Sequence, residues 1–172
     1  AAVKAHIDAV DDSQTEGTRN VSRVLHAHLM TESFLTRYLQ YANPNSRPVK
    51  DASLSYSQKV DLINPSDFSV SFLIPGLRCL DSLRNRLAYD PAIIVTERDK
   101  KVLLTVPLFK TIRDKSLSQP GSSRQEVAMS VMECFATFAG IILCNASSPR
   151  KKILVDALKH QKAASLNMHK QR

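Results

Sequence analysis

Apolar side chains in this chain recur at three- and four-residue spacings, and prolines and polar clusters cut that rhythm into segments of helical length. Such spacing puts one stripe on one face of an α-helix, whereas strand faces alternate every second residue. From about Asn20 to Ala42 the stripe is Val21, Val24, Leu25, Leu29, Leu35, Tyr38 and Leu39. Asn43-Pro44-Asn45 stops it, because the residue before a proline is pushed off helical backbone angles. Ser55 lies three residues before Gln58, a capping-box spacing that opens a short second helix. The main part of the third helix starts near Pro75, where a first turn accommodates proline, and carries Leu77, Leu80, Leu83 and Leu87.

Residues 92–109 admit two readings. Ile93-Ile94-Val95 and Val102-Leu103-Leu104 around the charged Glu97-Arg98-Asp99-Lys100 would suit a β-hairpin. Thr96 as an N-cap with acids in the first turn favours a helix, ended or kinked at Pro107, and the helix is the expectation taken here. Ser122 before Gln125 and Ser123 before Glu126 then open the clearest core helix, with Val127, Val131, Cys134, Phe135, Phe138, Ile141 and Ile142 facing inward. A basic amphipathic helix is expected from about Arg150 to Ala164. At 172 residues, with 4 glycines and 6% aromatic residues, a Gly-punctuated β-sandwich is disfavoured and one domain is the expectation. The expected fold is all-α: a single bundle of five or six mainly antiparallel helices over residues 15–165, after a loosely ordered lead-in (1–14) and before a basic tail (166–172).

The net charge is +8, and +6 of it falls between Pro149 and Arg172, where Lys151 and Lys152 adjoin Arg150. A basic end can neutralise phosphates without reading sequence; the same charges also suit a solvated helix terminus. Cys79, Cys134 and Cys144 form no C-x-x-C pair, which suits small core residues of a reduced, cytoplasmic protein. No run is read as long enough to span a bilayer, and no basic-then-apolar leader opens the sequence, so no membrane partner is expected. The sequons Asn20-Val21-Ser22 and Asn145-Ala146-Ser147 are read as incidental.

Phosphate loops, dinucleotide fingerprints and nucleophile elbows are absent, as four glycines would suggest. His26 and His28, about 200° apart on a helix, cannot face one metal; one is expected buried or partly buried and the other solvated. No metal or cofactor is expected. The dense polar patch is Leu83-Arg84-Asn85-Arg86-Leu87-Ala88-Tyr89-Asp90.

Leu-Arg-Asn-Arg-Leu-Ala followed by an aromatic resembles the signature of the HEPN superfamily of small helical bundles, Arg-Asn, a few residues, then Ala-His. Tyr56 to Leu62 resembles the preceding family helix, and Val95-Thr96-Glu97-Arg98-Asp99 the helix opening that follows, so the resemblance covers about Leu54 to Val106. It implies an Arg that holds an RNA phosphate and a His that moves protons during metal-independent attack by the 2′-hydroxyl, the two meeting across a homodimer of this helix. Here Tyr89 stands where the His is expected, and a phenol that titrates near pH ~10 is a poor proton acceptor at neutrality.

The expected function is therefore binding of RNA or a regulatory protein, in a regulatory, stress or defence (toxin–antitoxin) setting, through Arg84, Asn85, Arg86, Tyr89, Lys151 and Lys152, with no catalytic residue. Two alternatives stand beside it. One is a metal-independent endoribonuclease that recruits His26 or His28; the other is a transcriptional regulator resembling the mannitol operon repressor, acting without a helix-turn-helix. A structural role is also open: Arg84 pairing with Asp81 or a helix terminus, and Asn85 bonding backbone.

Overall fold

A computed structural model describes residues 2–43, 54–90, 95–116 and 124–147. Among them are six α-helices and no strand: α1 (Ala2–Ala42), α2 (Tyr56–Asp61), α3 (Ile74–Tyr89), α4 (Glu97–Leu104), α5 (Pro107–Ser116) and α6 (Arg124–Ala146), with a 3-10 turn, Ser71–Leu73, leading into α3. The protein is an all-α helical bundle. The basic helix expected from Arg150, the tail, and Lys151 and Lys152 lie outside the described residues.

Helix starts follow the capping chemistry of the sequence. Ser55 accepts from the Gln58 amide while Gln58 accepts from the Ser55 amide, and Thr96 and Asp99 form the same reciprocal box at the head of α4. Residues 95–116 are therefore helical rather than a hairpin, and Pro107 does more than end α4: it opens α5. Asp90, extended because Pro91 follows, closes α3. Helix α1 is longer than the apolar stripe foretold, running from Ala2, so the backbone of the expected lead-in is helical.

The bundle is organised round α1 and α6. Arg23 of α1 binds Glu126 and Glu133, while Gly140 further along α6 lies against Phe34, so these two helices run parallel. A bond from Tyr38 to Asp67 holds the approach to α3 beside the far end of α1, and Asp81 then faces His28, so α3 returns antiparallel. Gly76 lets α3 approach the Phe135 ring of α6; an added Cβ would stand 2.1 Å from it. Phe109 of α5 packs edge-on against Phe135, closing the apolar core.

Two stripe assignments are corrected. Leu25 and Leu29 are exposed, Leu29 by 62%, although the spacing placed them inside. The inner arc of α1 is fixed by Val24, Ala27, His28, Thr31, Leu35 and Tyr38, and Leu25 and Leu29 lie about 60° and 100° round the helix from His28. On α6, Ile141 is exposed, while Met129, Met132, Ala136, Ala139 and Leu143 are buried beside Phe135 and Ile142. Small and sulfur-containing side chains thus widen the buried face of α6 beyond the stripe that large residues marked. The same composition makes Glu126–Ala146 long and apolar enough to cross a membrane, contrary to the reading that no run reaches that length; most of it is buried in the bundle.

Candidate functional site

The polar patch of the sequence falls on the last turns of α3, where Leu83 and Leu87 are buried and hold the helix to the core. Their anchoring divides the intervening residues between two directions. Arg84, Asn85 and Tyr89 are exposed, Tyr89 by 91%. The Arg84 guanidinium donates to the Asn85 side-chain oxygen at 3.1 Å and makes no ion pair with Asp81 among the described residues. Neither structural role read for Arg84 from the sequence is taken up among the described residues.

Arg86 turns the other way. Its Nη2 donates to Asp99 Oδ2 at 2.7 Å, the oxygen that also accepts from the Thr96 amide and hydroxyl. Burial pushes the Asp99 carboxyl up, but the hydrogen bonds from Thr96 and Arg86 outweigh it and hold the group below the usual carboxylate range. Cys79 lies against the same carboxylate, and burial, reinforced by that charge, raises its thiol to about 12, far from reactive. Arg86 thus ties α3 to α4 and leaves the exposed set. Of the six residues expected to bind, three are exposed, with Arg84 and Tyr89 about 140° apart round α3, one is in the fold and two lie outside the described residues.

Sequence reading did not find the polar cluster beneath Arg84. His28 is 6% exposed, whereas His26 is exposed, as the 200° separation required. The His28 ring lies 4.2 Å from the Tyr56 ring, with Nε2 3.6 Å from Asp81 and Nδ1 4.0 Å from Glu32. Lys59 of α2 donates to Glu32 at 2.7 Å, and the Tyr56 hydroxyl bonds with Thr31. Burial pulls the His28 pKa below its ordinary value against the two carboxylates, and the Arg84 charge acts in the same direction. Burial also pushes the Tyr56 phenol up, keeping it neutral. His28, Tyr56 and Asp81 come from three helices, and the available signal was only that one histidine of the pair must face inward. No group of three or more His, Cys, Asp or Glu residues suited to a metal ion occurs among the described residues.

The chain matches no family model, no curated protein and no solved structure.

Proposed function

We propose that this chain is a HEPN-like helical module that binds RNA in a regulatory or defence setting and does not cleave it. The observation that carries the reading is the exposed end of α3, where, among the described residues, Arg84 is hydrogen-bonded to the Asn85 side chain, and Asn85 and the almost fully exposed Tyr89 stand open to solvent further round the helix. A guanidinium clasps phosphate bidentately, an aromatic face stacks on an unpaired base, and an amide reads base edges. Proton transfer has no comparable support. Tyr89 replaces the imidazole that the resemblance calls for, and His28 is enclosed between Tyr56, Glu32 and Asp81 rather than offered to a 2′-hydroxyl. A second copy joined along α3 would double the cationic face, and the basic residues Lys151 and Lys152 would add phosphate contacts.

Titrating a labelled single-stranded oligoribonucleotide tests this directly. Wild type is expected to bind and leave the strand intact. Arg84→Ala should weaken binding and lower the salt slope by about one, and Tyr89→Ala should weaken it about tenfold. Cleavage that depends on Arg84 and His28 would replace this reading with the endoribonuclease. Indifference to RNA, with recovery of a protein partner that Arg84→Ala abolishes, would replace it with the regulator.

A further inference from the structure

The His28 imidazole faces Asp81, one turn of α3 before Arg84, in a setting where burial opposes its protonation and two carboxylates favour it. Among the described residues the groups round it are Glu32 from its own helix, Tyr56 and Lys59 from α2, and Asp81 and Arg84 from α3. Neutral, the ring carries one N–H, and its buried Nε2 has no hydrogen-bond partner. Protonated, it carries an N–H on each nitrogen, one facing Asp81 at 3.6 Å and one facing Glu32 at 4.0 Å, so small side-chain movements would close two charge-assisted bonds. Lys59 already offsets the Glu32 charge, and neutral Tyr56 covers the ring. Asp81, by contrast, has no cation bonded to it among the described residues. Burial and the Arg84 charge weigh against protonation, and of these only the Arg84 charge is altered by a ligand.

We propose that His28 is a proton-linked modulator of Arg84: a phosphate that neutralises the Arg84 guanidinium is taken up together with a solvent proton on the His28 imidazole. The inference rests on the RNA reading for its ligand. Its physical content is reciprocity, because a phosphate that makes His28 more basic is bound more tightly, by the same factor, once His28 is protonated. No bond other than the N–H forms.

The test follows the histidine resonances of the full chain by NMR, the His28 signal being identified by its loss in His28→Gln. Without ligand, Arg84→Ala should raise the His28 midpoint, since a repelling charge is gone. With the oligoribonucleotide, wild type should bind about fivefold more tightly well below the His28 midpoint than well above it, beyond any change shown by His28→Gln. Bound RNA should raise the midpoint by about 0.7 in pH, the logarithm of that factor. A His28 midpoint unmoved by Arg84→Ala, or the same pH dependence in His28→Gln, overturns the coupling while leaving RNA binding intact. Absence of RNA binding at every pH removes the RNA reading and the linked uptake together, and the ligand-free midpoint still separates the two failures.

Discussion

Arg84 and Arg86 are separated by about 200° on α3, so the same guanidinium chemistry is directed to solvent in one case and to Asp99 in the other. Stability and binding should therefore divide between them. Arg86→Ala leaves the mostly buried Asp99 carboxylate with its Thr96 bonds and the weak Cys79 thiol contact but no cation among the described residues. It should cost about 1–2 kcal/mol in urea unfolding, held down because Arg86 is itself 39% exposed. Arg84→Ala should shift unfolding by less than about 0.5 kcal/mol, as for an exposed residue away from a cap or core. Equal losses for the two would contradict their assignment. The sequence showed Arg-Asn-Arg as one unit, because nothing local says which arginine will meet a carboxylate that lies thirteen residues further on. Tyr89 was legible as the departure from His, and its exposure followed from its distance round the helix from Leu83 and Leu87.

Helix starts were the most legible elements, since a cap is a contact between residues three apart and needs no tertiary partner: Ser55 with Gln58 and Thr96 with Asp99 both form as spaced. Helix faces were less so. Leu25 and Leu29 fit a regular stripe, yet α2, α3 and α6 together select an arc that excludes them and admits His28 and Thr31. Thr31 is tolerable there because its hydroxyl donates within its own helix and meets Tyr56. Close approach of elements was not readable at all from periodicity, and Gly76 is the clearest instance. A methyl at this position would stand 2.1 Å from the fully buried Phe135 ring, which also packs edge-on with Phe109. Gly76→Ala should cost about 1–3 kcal/mol despite the better helix propensity of alanine, by forcing α3 off α6. A stabilised Gly76→Ala protein in thermal or urea unfolding would mean that the two helices do not meet as described.

Across the whole molecule, the buried charges make stability a function of pH with a definite sign. His28 has a native pKa below its unfolded value of about 6.5, so the unfolded chain takes up the proton first. Its contribution is full above that value and is lost as pH falls from about 6.5 toward the native pKa. Asp99 and Glu126 are likewise depressed in the native state, Asp99 by the Thr96 and Arg86 bonds that overcome its burial and Glu126 by Arg23. Their contributions are present above the ordinary carboxylate range and disappear at still lower pH. Two separate declines are expected, the first setting in below about pH 6.5 from an imidazole and the second in the acid range from carboxylates. Urea midpoints should therefore be flat above about pH 7 and begin to fall as pH drops through about 6.5. His28→Gln, which keeps a polar side chain of similar reach but cannot titrate, should remove the first decline and leave the second. A wild-type midpoint that rose on acidification through this window would place the His28 pKa above its unfolded value. The pull of Asp81 and Glu32 would then exceed burial and the Arg84 charge, and the neutral, enclosed imidazole on which the non-cleaving reading leans would be charged near neutrality.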